Sequence, residues 1–203
     1  MATFASDTYT GTDWITIQAS GANLGGPIVD HPNESGAWYV FGNKALCRTA
    51  GLCYYGGTPA SADYYVEATI TVKSSIGSTG LAGRVSTTAR TYYTAYIEQG
   101  SGYVVLAKRV NGAVTSLGVS PSTYGIGDHV LRLDMVGTTI RALVGGVQVV
   151  SVVDASITAA GKAGIRAPVI SDANTGKHLD NFTAADTSVA AVGRSYVVGI
   201  VGL

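Results

Sequence analysis

The chain is short of charge. Only 13% of its 203 residues are Asp, Glu, Lys or Arg, about half the usual share of a soluble domain. The 13 basic and 13 acidic side chains cancel. With no basic excess and no basic stripe, the chain carries no electrostatic footprint for nucleic acid, and no such partner is expected. It has no run of about 18 apolar residues, so no segment is expected to span a membrane. Its first residues, MATFASDTYTGTDW, lack a basic n-region and an apolar h-region, so no signal peptide is expected there. Cysteine is nearly absent. Cys47 and Cys53, in CRTAGLC, are the two present, and they read either as a small disulfide loop or as two free thiols. No histidine cluster stands beside them to suggest a metal. Amphipathic helical stretches are missing too, beyond one short turn expected in DASITAAG at 154–161.

What the chain has instead is glycine, 27 residues of it, with Thr, Ser, Val and Ala filling much of the rest. That mixture suits short strands joined by tight turns. In YYVEATITVK, Val66, Ala68, Ile70 and Val72 share one face and Glu67, Thr69, Thr71 and Lys73 the other. In VLRLDMV, Leu131, Leu133 and Met135 alternate with Arg132 and Asp134. Both patterns read as strands with one face buried. Asn111-Gly112 and Gly145-Gly146 sit between strand-like runs and predict tight hairpins, because a type I′ turn needs two residues with positive φ. A third hairpin is expected around 99–102. The result is a series of antiparallel strands from about Tyr64 to Val153, and hence an all-β sandwich or barrel. Segments 19–37 and 168–178, rich in Gly, Pro and Asn, are expected to be long exposed loops.

One stretch carries a family look. It runs GIGDHVLRLDMVGTTIRALVGGVQVVSVVDASITAAGKAGIRA and is followed by HLDNF. Leu131 and Leu133, Gly137, Gly146, Asp154, Gly161, Gly164 and Asp180-Asn181-Phe182 stand where concanavalin A-like and laminin G-like jelly rolls place similar residues. The opening FASDTYTGTDWITI also resembles the usual start of such domains. The resemblance spans about residues 4 to 185. It implies an antiparallel two-sheet jelly-roll sandwich, placed at 1–186, followed by an apolar arm at 187–203. Domains of this look serve as sugar-binding modules, as adhesion modules, and as virion proteins of tailed bacteriophages. In some of them a structural calcium ties the first strand to the last, and Asp7 and Asp180 match those positions. The residues themselves admit a plainer reading, in which Asp7 caps a turn and Asp180 bonds backbone at a bulge.

Catalysis is not expected. Glycosidases need two carboxylates flanking one bond, and none of the three glutamates, Glu34, Glu67 and Glu98, has a carboxylate beside it on its own strand. His31 in its loop and His129 at a strand start pair with no readable nucleophile, and neither does His178. No phosphate-binding or zinc-hydrolase motif is present. Sugar recognition would use aromatic faces with a few polar groups at the rim. Tyr92 and Tyr96 share a strand face, and Tyr54 and Tyr55 are adjacent, so these four are the candidate carbohydrate-binding residues. Ordinary strand packing, or a protein interface, is the competing use of such tyrosines.

The tail SYVVGIVGL is apolar and strand-prone. Tyr196, Val197, Val198, Ile200, Val201 and Leu203 form a candidate docking arm, on the chain's own sandwich or on a neighbour by strand addition. Low charge, absent leader and apolar arm together favour a non-enzymatic virion surface protein, made in a host cytoplasm and held to a shell or tail protein or to copies of itself. The alternative is a lectin or carbohydrate-binding module that recognises a cell-surface polysaccharide.

Overall fold

A computed structural model describes residues 1–187. The expected docking arm, with Tyr196, Val197, Val198, Ile200, Val201 and Leu203, lies outside the described residues. The elements in chain order are β1 (Thr3–Asp7), α1 (Ile17–Ser20), β2 (Ile28–Asp30), β3 (Ala37–Val40), β4 (Ala45–Thr49), β5 (Gly51–Tyr55), β6 (Tyr64–Val72), β7 (Ser78–Val85), β8 (Tyr92–Ile97), β9 (Tyr103–Val110), β10 (Ala113–Thr123), β11 (Gly127–Val136), β12 (Thr139–Val144), β13 (Val147–Val153), β14 (Lys162–Val169) and β15 (Lys177–Asp186).

All pairings are antiparallel. One sheet runs β13-β12-β11-β6-β15-β4-β3, with β1 added beside β15, and the other runs β10-β9-β8-β7-β14-β5-β2. The two stack face to face as a sandwich. Alternation decides what lies between them. Val66, Ala68, Ile70 and Val72 of β6, and Leu131, Leu133 and Met135 of β11, all turn inward and are buried. They meet Tyr93, Ala95 and Ile97 of β8 and Ala163, Ile165 and Ala167 of β14 in one core.

The hairpins form where the sequence places them. Asn111 and Gly112 take φ of 50° and 93°, and Gly145 and Gly146 take 57° and 79°, the positive values that a type I′ turn demands. The DNF motif sits at a register shift in the β15–β6 ladder between Asp180 and Thr183. The shift divides the free side of β15. Leu179 pairs with Ala45 of β4 before it, and residues 182–185 pair with β1 after it. Phe182, just past the bulge, stacks on Tyr55 with ring centroids 4.2 Å apart.

Three local expectations need correction. DASITAAG forms no helix, and the one short helix among the described residues is Ile17–Ser20. Segment 19–37 is not a plain exposed loop. It holds β2, an edge strand paired to β5, and His31, which is fully buried. Segment 168–178 contains the buried Ser171, Lys177 and His178. In both cases the buried residues are scattered among Gly, Pro and Asn, so composition masks them. The cysteines are free and buried, and Cys47 Sγ donates to Thr49 O at 2.9 Å. Burial pushes the Cys47 thiol up to about 12.

Candidate functional site

The same alternation that fills the core also builds the outer face of the seven-stranded sheet. It turns Tyr92, Thr94 and Tyr96 of β8, Ala107 and Arg109 of β9, and Arg166 of β14 away from the core. Together they line a cleft of about 220 Å³. A small apolar patch of Leu52, Ala82 and Val85 buries the Tyr92 ring beside it, with Tyr54 packed against the patch.

Glu34 enters from the loop after β2. That loop is pinned over the end of the sheet. His31 N donates to Leu52 O at 3.0 Å, and Leu52 N returns a bond to Glu34 O at 2.8 Å. The His31 ring lies 3.0 Å from Ser86 O and 3.1 Å from Ala89 O through Nε2. Asn33 Nδ2 donates to Thr88 O at 2.8 Å. The close approach depends on glycine: a Cβ at Gly51 would stand 2.4 Å from Gly36 N.

So held, Glu34 lies between two arginines. Arg109 Nη1 is 2.6 Å from Oε1 and Arg166 Nε is 3.3 Å from it. The Tyr92 hydroxyl donates to Oε2 at 2.7 Å and accepts from Arg166 Nε at 2.7 Å. Arg109 Nε is fixed on Gly112 O at 2.9 Å, so the Asn111-Gly112 turn aims this guanidinium. Burial pushes the Tyr92 phenol above its ordinary range, against the opposing charge of Arg166. Burial likewise raises Tyr96, with Arg166 again opposing. Among the described residues, both Nη atoms of Arg166 and Nη2 of Arg109 make no protein hydrogen bond. They are donors available to a ligand, beside a carboxylate whose orientation is set.

The four candidate tyrosines divide. Tyr92 and Tyr96 both line the cleft, Tyr92 as a fully buried residue and Tyr96 as a half-buried one. Tyr54 is on the same outer face. Tyr55 is not: it points into the core, is fully buried, and its hydroxyl lies 2.5 Å from that of Tyr9. The sequence reading did not single out Arg109 or Arg166, and it weighed Glu34 only as a possible catalytic acid. The available signal was placement: Arg166 interrupts the apolar run GIRAPV at an outward position, and Arg109 stands at an outward position just before the Asn111-Gly112 turn.

The other candidate positions behave as backbone ligands. Asp7 Oδ1 accepts the Tyr9 amide at 2.8 Å, and the residue is 2% exposed. Asp180 Oδ1 accepts the Asn181 amide at 2.7 Å, and its Oδ2 lies 3.5 Å from Lys44 Nζ. No cluster of three or more potential metal ligands occurs among the described residues.

No family model and no curated protein matches the chain. Solved structures do. The carbohydrate-binding module CBM66 from Bacillus subtilis superposes with a TM-score of 0.64 at 18% identity, over 75% of this chain and 92% of that one. The VIP36 exoplasmic/lumenal domain in its Ca2+/Man-bound form gives 0.63 at 9%, over 93% and 92%. A structure described with endo-acting O-glycanases of the human gut microbiota gives 0.61 at 8%, over 91% and 99%. At these identities the likeness is one of fold, and the fold is that of concanavalin A-like jelly rolls.

Proposed function

We propose that this protein is a non-catalytic glycan-binding module, with the cleft around Glu34, Tyr92, Arg109 and Arg166 as its sugar site. The observation that carries the reading is the Arg109–Glu34–Arg166 array closed by the Tyr92 hydroxyl. A sugar presents neighbouring hydroxyls, each both donor and acceptor. An array with spare guanidinium donors beside fixed carboxylate lone pairs matches that chemistry. The half-buried Tyr96 at its side offers an aromatic surface for the C–H face of a ring. Jelly rolls among the structural neighbours include a carbohydrate-binding module and a Man-bound domain, and this supports the choice.

The array argues against hydrolysis. Glu34 is committed to two cations and a phenol, and Glu98 accepts the Ser101 hydroxyl at 2.7 Å. Glu67 lies opposite Arg132 in the sheet. No carboxylate is among the residues that line the cleft, whereas glycoside hydrolysis requires a carboxylate pair flanking the scissile bond. The virion setting draws no support from the described residues or from the comparisons, and it is not part of the proposal.

The test is a glycan array probed with the full chain and with Arg166→Ala and Tyr96→Ala, each checked for native circular dichroism. Binding of a defined glycan by the wild type, and loss of it in both folded variants, is the expected result. No binding by the wild type, or equal binding by folded variants, would overturn the reading.

A further inference from the structure

At the end of the sandwich where β8 turns into β9, a lysine occupies a core position. Lys177 opens β15 opposite Val72, and Leu179 two residues on lies opposite Ile70. Val72, Leu179 and Ile70 all belong to the core. The pleat therefore aims Lys177 inward, where alternation calls for an apolar residue. It is 1% exposed. Its ammonium donates to Gly77 O at 2.7 Å and to Ile76 O at 3.3 Å. An ammonium has three donors, so one N–H is left over. Burial lowers the pKa of this lysine.

Lys177 borders a recess of about 450 Å³ at the sandwich end. Val72, Tyr124 and Ile126 supply its apolar wall, and Ser75, Ser101 and Lys73 its polar one. Lys73 Nζ donates to Ala173 O at 2.9 Å. Among the described residues neither lysine is ion-paired, and no carboxylate lines the recess. Glu98, reached through the Ser101 hydroxyl, is the acid next to it. Charges this deep are nearly always neutralised by a partner. Lys177, the deeply buried one of the two, borders this half-apolar space beside Lys73, and no carboxylate among the described residues lines it.

We propose that this recess binds a small organic carboxylate, with the acid group on the spare N–H of Lys177 near Lys73 and the apolar body against Val72, Tyr124 and Ile126. This site is separate from the outer cleft and does not rest on the glycan-binding reading. An aromatic or aliphatic acid fits the wall, and so does the carboxylate edge of a uronic sugar, whose ring C–H face is apolar.

The experiment is an amide NMR titration of the full chain with benzoate, with benzyl alcohol as its uncharged counterpart. Benzoate is expected to shift the Gly100, Gly102 and Gly125 amides saturably. Benzyl alcohol is expected to bind at least about tenfold more weakly, the loss of one hydrogen bond between charged groups. Lys177→Met is expected to abolish the benzoate response with the rest of the spectrum retained. Should that variant not fold, Ile126→Ser serves, because Ile126 is 82% exposed and its change reads the apolar wall alone. No saturable shift, equal binding of the alcohol, or benzoate binding unaltered in a folded Lys177→Met or in Ile126→Ser would overturn the proposal. Competition by glucuronate would identify an acidic sugar as the natural class, and its failure beside bound benzoate would identify a free apolar acid.

Discussion

The Tyr92 hydroxyl joins Glu34 to Arg166, donating to one and accepting from the other at 2.7 Å each. One phenol thus fixes both the acceptor and the donor of the outer cleft. Tyr92→Phe leaves the ring in its patch with Leu52, Ala82 and Val85 and removes only this link. Two charged groups lose a partner in a partly dry site. The expected loss is about 1–3 kcal/mol of stability, together with weaker glycan binding. Urea denaturation with an unchanged slope would measure the first, and calorimetry with the array-identified glycan the second. A variant as stable as the wild type would show that the bond is not formed in solution.

Tyr96 and Tyr55 separate platform from packing. Tyr96→Ala removes a half-buried ring from the cleft and is expected to weaken glycan binding by about tenfold or more, equal to about 1.4 kcal/mol. Tyr55→Ala removes a core ring stacked on Phe182. It is expected to destabilise the fold by about 3–5 kcal/mol, as large aromatic truncations in cores do, and to leave binding by the folded fraction unchanged. Thermal melts and calorimetry on both variants give the comparison. Equal loss of binding in the two would mean the outer cleft is not the site.

Much of the fold was legible because period-2 alternation and positive-φ turns are local signals. The strands of VLRLDMV and YYVEATITVK and the turns at Asn111-Gly112 and Gly145-Gly146 need no distant partner to be read. The site was legible only in part. Tyr92 and Tyr96 share a face by spacing alone. Glu34 reaches them from 58 residues away in sequence, and it does so through His31, whose burial against Ser86 and Ala89 no local pattern encodes. Tyr54 and Tyr55 look alike in sequence, and only the register of β5 against β14 and β2 decides which one meets solvent. Lys177 was hidden for the opposite reason. A lysine in a Gly- and Asn-rich segment reads as surface, and its inward aim appears only once β15 is paired to β6.

Arg84 holds three connections at the other end of the sandwich. It is 2% exposed, and its guanidinium donates to Ala62 O at 3.0 Å, Ile157 O at 2.7 Å and Gly137 O at 2.8 Å, with Asp63 at 3.7 Å. The planar fork reaches three carbonyls at once, which a lysine ammonium on a flexible stem cannot match. Both Arg84→Met and Arg84→Lys are therefore expected to lose about 3–5 kcal/mol, as when one member of a buried charged network is removed. Chemical denaturation of the pair decides it. Full rescue by lysine would mean that charge alone, and not the fork, holds the connections.

Asp7 makes stability depend on pH in a direction unusual for a carboxylate. Oδ1 accepts the Tyr9 amide, but Oδ2 is buried without a partner. Burial, against the opposing amides of Tyr9 and Thr8 and with a smaller push from Asp180, raises this carboxyl from 3.8 to about 6. The folded chain therefore keeps a proton that the unfolded chain releases between about pH 4 and pH 6. The stabilisation is fully present below the unfolded value and is lost as pH rises through about 6. Asp7→Asn keeps the acceptor for Tyr9 and cannot ionise. It is expected to melt higher than the wild type at pH 7.5 and close to it at pH 4. His178, whose pKa burial lowers, contributes with the opposite sign, but it is common to both proteins and cancels in the difference. Melting curves of the two from pH 4 to pH 8 test this, and parallel curves across that range would show that Asp7 is not held protonated in the fold.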